Sequence, residues 1–221
     1  MTVTMRWCVL ACAMSVLGAA VCLPLRAAGG DVGAKVNAKA SAKVASVENL
    51  AKAYANGALA MAQSKAFAAK ADEEGYKSVA ALFRAAEYAE GIHMKKYEMA
   101  LKDLGSAVSE TKLPEVTAKT TKENLETLIK AVEANAVAYG DYIKQAQKDG
   151  ATKAGMFLGG AVADEASRGK LYKQAAADLD GWKAAGKEII VCEVCGFTTI
   201  DGKLKTCPVC SAPREKFKLF K

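Results

Sequence analysis

The sequence predicts a mainly α protein: a four-helix bundle made of two helical hairpins, followed by a small metal-binding domain. Three observations carry that prediction. Four long stretches place apolar residues at helical spacing, the two halves of the helical region copy one another, and the last thirty residues hold two Cys-x-x-Cys pairs. With 221 residues, 52% hydrophobic and 25% charged, the chain has the balance of ordinary globular material and can bury a core.

The N-terminus differs in composition from the rest of the chain. Arg6 precedes the uncharged run "WCVLACAMSVLGAAVCLPL" from Trp7 to Leu25, small residues surround Ala27 and Ala28, and the first acid is Asp31. This pattern reads as a signal peptide over residues 1–28, with export to the periplasm or beyond, and as a membrane anchor if it is not cleaved. Residues 29–46, "GGDVGAKVNAKASAKVAS", are small and Lys-rich and read as a tether. The formal charge is +7, and Arg6 and Arg26 would leave with the signal. The lysines are scattered and not interleaved with aromatics, so a solvated surface is expected and a nucleic-acid partner is not.

Helical patterns span about 47–73, 76–104, 120–149 and 151–185. Gly75 and Gly150 punctuate the hairpins, and "GSAVSETKLPEVTAK" with Pro114 separates them. One constant offset superposes "ENL" at 48–50 on "ENL" at 123–125, Gly75 on Gly150, Tyr97 on Tyr172 and Asp103 on Asp178. Two copied hairpins joined by a long crossover make a bundle of ferritin-like type over residues 47–185.

The tail, residues 186–221, contains "VCEVCGFTTIDGKLKTCPVCSAPREKFKLF". Disulfides are one option for an exported chain. Two tight knuckles, Cys192/Cys195 and Cys207/Cys210, instead suit four thiolates around one Fe or Zn ion.

These motifs resemble the rubrerythrin family. "CEVCGF" and "CPVCSAPREKF" are similar to its rubredoxin-like domain, and residues 49–97 align without gaps to its first hairpin. The resemblance implies a bundle with a di-iron site that reduces hydrogen peroxide, fed electrons by an Fe(Cys)4 centre, in a head-to-tail homodimer. Ile190 stands where the family commonly has an aromatic, which would loosen the small domain's core. Glu90 and His93 match the family's first Glu-x-x-His. The rest of the expected ligand set is missing.

Gly57 stands where the first helix should bring a carboxylate, and the third-helix position falls at Ala131 or Val132, with Glu133 adjacent but facing elsewhere. In the fourth helix the offset sets Glu165 opposite Glu90 and Arg168 opposite His93, and a frame one residue earlier gives Asp164 and Ser167. Arginine keeps its proton and does not ligate metals. The expectation is therefore that Arg168 replaces the metal charge by pairing with Glu90 and Glu165, and that a di-iron centre is absent.

Met61, Met94, Met99 and Met156 read as core filler rather than a haem or copper site, and Tyr54, Tyr88, Tyr97, Tyr139, Tyr142 and Tyr172 as residues edging the core. The functional expectation is one-electron transfer at one iron per chain, to an unidentified redox partner protein. The alternatives are a peroxidase using a residual site around Glu90, His93 and Glu133 or Glu165, and a scaffold in which zinc replaces the iron.

Overall fold

The computed structural model describes residues 43–108, 112–184 and 186–221. The signal-like segment and most of the tether lie outside them. Among the described residues no helix is long and apolar enough to cross a membrane.

Four helices form two hairpins, α1 (Val44–Glu73) with α2 (Lys77–Asp103), and α3 (Thr121–Lys148) with α4 (Thr152–Ala177). The helical hairpins turn in the same way. Gly75 and Gly150 take left-handed φ values of 83° and 61°, which lets Tyr76 N donate to Ala71 O and Ala151 N to Ala146 O, both at 2.8 Å. Each is a six-to-one closure that satisfies a terminal carbonyl.

Two boundaries differ from the expected ones. Helix α1 begins three residues inside the expected tether, because Ser46 donates from both N and Oγ to Asp149 Oδ2, at 3.2 and 2.7 Å, and so ties its first turn to the end of α3. Helix α4 stops at Ala177 and does not continue to 185. Asp178 Oδ1 accepts from Gly181 N at 3.0 Å, a local bond that competes with helix, and a 3-10 turn (Asp180–Trp182) then buries Trp182.

The tail adds β1 (Ile189–Cys192), β2 (Thr198–Thr199) and β3 (Phe217–Phe220), antiparallel in the order β2-β1-β3. Ile189 and Val191 join Phe83, Leu125, Leu171 and Trp182 in one apolar cluster of the bundle. The small domain is thus packed on its own helices.

The apolar core comes in two pieces. One holds residues of α2 up to Ala89, of α3 up to Leu128 and of α4 from Leu171; the other holds α2 from Met94, α3 from Tyr139 and α4 up to Ala161. Between them along each helix lie Glu90 and His93, Asn135, and Asp164, Glu165 and Arg168. A polar layer therefore divides the core.

Helix α3 starts with a reciprocal cap: Glu123 N donates to Thr120 Oγ1 at 3.3 Å, and Thr120 N and Oγ1 donate to Glu123 Oε2 at 3.2 and 2.7 Å. We expect Thr120→Ala to lower unfolding free energy by about 1 kcal/mol, read by thermal or urea unfolding, with no change in the visible spectrum of the metal-loaded chain.

Candidate metal centre and the polar layer beneath it

The two knuckles share one backbone pattern. Cys192 N donates to Phe197 O and Gly196 N to Cys192 O, at 2.9 and 2.8 Å, while Cys207 N donates to Ala212 O and Ser211 N to Cys207 O, at 2.8 and 2.9 Å. Each turn needs a left-handed residue after its second cysteine: Gly196 at φ 87° and Ser211 at φ 60°.

The sulfurs of Cys192, Cys195, Cys207 and Cys210 lie within 4.8 Å of one another. The pairs Cys192–Cys210 and Cys195–Cys207 are 3.6 and 3.4 Å apart. Those spacings are far from the ~2.05 Å of a disulfide, and the cysteines are free. They approach the ~3.8 Å edge of a tetrahedron with ~2.3 Å metal–sulfur bonds. Burial pushes the Cys192 thiol up to about 11 and Cys195 higher still, while for Cys210 burial is outweighed by the Ala212 amide and the neighbouring cysteines, which hold it below the usual thiol range. The amides of Val194 and Cys195 face Cys192 Sγ, that of Phe197 faces Cys195 Sγ and that of Ala212 faces Cys210 Sγ, as suits anionic sulfur. This donor set fits one iron or zinc ion.

Ile190 does not open the small domain. It is 1% exposed and pairs with Thr199 and Leu219. Val194, inside the first knuckle, is 44% exposed and borders a groove of about 760 Å3 with Ile92, Lys95, Lys96, Met99 and Phe157.

Beneath the knuckle lies the polar layer. Arg168 is 2% exposed. Its Nη2 donates to Glu90 Oε1 in a very short bond, and its Nε lies 2.7 Å from Asp164 Oδ2, an ion pair whose N–H does not point along the line to the oxygen. The expected partner Glu165 is not one of the two. Glu165 instead accepts from Asn135 Nδ2 at 2.9 Å, and Asn135 Oδ1 accepts from Asn56 Nδ2 at 3.1 Å. Neighbouring positions on α4 point about 100° apart, so Asp164 faces the tail and Glu165 faces α3. Both frames considered from sequence thus lie inside.

His93 Nε2 donates to the Cys195 carbonyl at 3.1 Å; a carbonyl only accepts, so this nitrogen carries the proton. Its Nδ1 is 3.6 Å from Glu90 Oε2, beyond hydrogen-bond range. Gly57 sits against the same carboxylate: a Cβ there would lie 3.0 Å from Met94 Cγ and 3.5 Å from Glu90 Oε2. Glu133 is outside the layer, paired with Lys173 at 2.7 Å and half-exposed. Tyr97, Tyr139 and Tyr172 are buried within the core rather than edging it, and Met99 and Met156 are exposed rather than core filler.

Sequence reasoning missed Asn56 and Asn135. Their signal was present as two amides in otherwise apolar helix interiors. It also missed that Asp164 and Ser167 hold the tail, since Thr198 N donates to Asp164 Oδ1 at 2.7 Å and Ser167 Oγ donates to Thr198 O at 2.6 Å.

The two glutamates titrate in opposite directions. Burial disfavours charge on Glu90, but the Arg168 guanidinium outweighs it and holds the carboxyl at about 2. Burial and the neighbouring Glu90 charge push Glu165 up to about 8. Glu90 therefore contributes stability that is lost as pH falls from 4.5 towards 2. Glu165, protonated more readily in the fold than unfolded, loses stability as pH rises from 4.5 to about 8. We expect Glu165→Gln to abolish that second loss, so the variant gains on the parent between pH 5 and 8 in denaturant titrations. Arg168→Ala strands two buried carboxylates and should cost about 3–5 kcal/mol, measured the same way.

The family model described as Rubrerythrin matches residues 48–176, and the one described as Rubrerythrin, rubredoxin-like domain matches residues 191–218. Rubrerythrin-2 of Clostridium acetobutylicum is 26% identical over 182 residues, 77% of this chain and 94% of its own. Nigerythrin of Nitratidesulfovibrio vulgaris is 27% identical over 175 residues, 79% of this chain and 86% of its own. A mixed-valence nigerythrin structure superposes with a TM-score of 0.71 at 26% identity, covering 83% of this chain and 88% of that one. A Desulfovibrio desulfuricans bacterioferritin, at 14% identity and a TM-score of 0.55 over 66% of this chain and 87% of its own, shares the fold.

Proposed function

This chain belongs to the rubrerythrin family, and from that premise we propose that it is a one-electron carrier whose only redox iron sits at Cys192, Cys195, Cys207 and Cys210. The observation that carries the reading is the Arg168 guanidinium buried on Glu90 and Asp164, in the layer where the resemblance sets a di-iron site.

The residues of that layer do not fit two irons. Gly57 offers no carboxylate, Glu133 is at the surface, and the protonated Arg168 repels cations while occupying the carboxylates they need. No peroxide chemistry is derived through them.

When bound at the four cysteines, iron supplies a reversible Fe(III)/Fe(II) change. The chain's own part is to hold the sulfurs close together and to direct the amides of Val194, Cys195, Phe197 and Ala212 at them. One electron enters from a one-electron carrier and leaves to another, and the groove beside Val194 offers an outward approach. The leading segment with Arg6 and its apolar run supports a site of action outside the cytoplasm.

The test is to load the full chain with iron and follow the visible spectrum under a reductant and then peroxide. We expect ferric-thiolate absorption that bleaches by one electron per chain, and no sustained peroxide consumption with an artificial donor. Sustained consumption abolished by Glu90→Gln would restore a peroxidase, and a colourless zinc form after growth with ample iron would make the tail a structural zinc site.

A further inference from the structure

The loop from Cys195 to Thr198 lies along the bundle, and three side chains grip its backbone. His93 Nε2 holds the Cys195 carbonyl at 3.1 Å, Asp164 Oδ1 receives Thr198 N at 2.7 Å, and Ser167 Oγ reaches Thr198 O at 2.6 Å. Asp164 and Ser167 are three apart on α4 and share a face, so they hold both polar groups of one strand residue. Gly196 makes the approach possible, since a Cβ there would come within 2.4 Å of His93 Nε2. Inside this loop the Phe197 amide faces Cys195 Sγ.

The grip on Thr198 is itself held. Asp164 is 0% exposed, and its second oxygen lies 2.7 Å from Arg168 Nε, while the far end of the guanidinium is fixed by Glu90. The rotation of the carboxylate that receives Thr198 therefore depends on Arg168.

We propose that Arg168, acting through Asp164 and alongside Ser167, is a positioning residue that locks the Cys195–Thr198 loop and so sets the reduction potential of the iron held by the four cysteines. This rests on the redox-iron reading above. Reduction adds a negative charge to a tetrathiolate that is already anionic. Amide hydrogen bonds to sulfur and a nearby fixed cation both favour the reduced form. A loosened loop turns the Phe197 amide dipole away from Cys195 Sγ, and loss of the guanidinium removes the cation, so both changes lower the potential.

The experiment compares full-length iron-loaded native protein with Ser167→Ala, Arg168→Lys and Arg168→Gln, reading the reduction potential together with hydrogen exchange at the Phe197 and Thr198 amides. Arg168→Gln should lower the potential by about 59 mV, a tenfold change in a one-electron equilibrium constant, with Arg168→Lys falling between. Ser167→Ala, neutral and least intrusive, should lower it by less and speed exchange at Thr198 at least tenfold. A purely structural Arg168 would lower the melting temperature and leave the potential of the folded variants at the native value, which overturns the proposal. Should Arg168→Gln fail to fold, Arg168→Lys, which keeps a cation but loses the planar fork, decides: a native potential with unchanged Thr198 exchange overturns the proposal. If native protein shows no one-electron iron couple, the redox reading fails instead, and unchanged Thr198 protection in zinc-loaded Ser167→Ala would separately sink the latch.

Discussion

A guanidinium buried between two carboxylates is the constraint on which the rest of this structure depends. Arg168 is fully charged wherever it sits, so a bundle that encloses it must keep Glu90 and Asp164 within reach on two different helices. That fixes the register of α2 against α4. It also forces a break in the apolar core, since the helices cannot pack Leu and Phe through a layer that has to hold charge. Such a pair adds little net stability over a hydrophobic replacement, yet removing one member leaves the others desolvated and unpaired. Its significance is therefore one of placement.

The same layer joins the helices to the tail. His93 and Asp164 each face two ways, toward Arg168 or Glu90 on one side and toward the Cys195–Thr198 loop on the other. Of the residues that the family resemblance associates with metal chemistry, His93 gives its Nε2–H to a backbone carbonyl, Glu90 holds Arg168 and Glu165 holds Asn135. On the proposed reading the bundle serves as a mounting and the chemistry lies at the four sulfurs. The family membership and the tetrathiolate set make this an iron-binding redox protein in outline; the division of labour between the two domains is the proposed part.

Much of this was legible in the sequence, for reasons that can be named. Helical periodicity and paired glycines marked the hairpins because six-to-one caps at Gly75 and Gly150 need a left-handed residue. The cysteine spacing marked the metal centre because a knuckle is a local structure. Arg168 was noticed because the internal repeat sets it opposite His93, at a position where the resemblance expects a ligand. Its actual partners were less legible: neighbouring carboxylates at 164 and 165 look equivalent along one chain, and only the position of the tail assigns the first to Thr198 and Arg168 and the second to Asn135. The end of α4 was overrun for a similar reason, since the Asp178 side chain's bond to Gly181 N leaves no mark in hydropathy.

On the proposed reading, a protein cation stands where bundle irons would stand. The most direct measurement is anomalous X-ray scattering at the iron edge from crystals of the full chain grown from iron-loaded, oxygen-free protein. The expected result is one anomalous peak per chain, within bonding distance of Cys192, Cys195, Cys207 and Cys210, and none between the helices. A further peak or pair of peaks beside Glu90 and His93, with Arg168 swung away from Glu90, would contradict it.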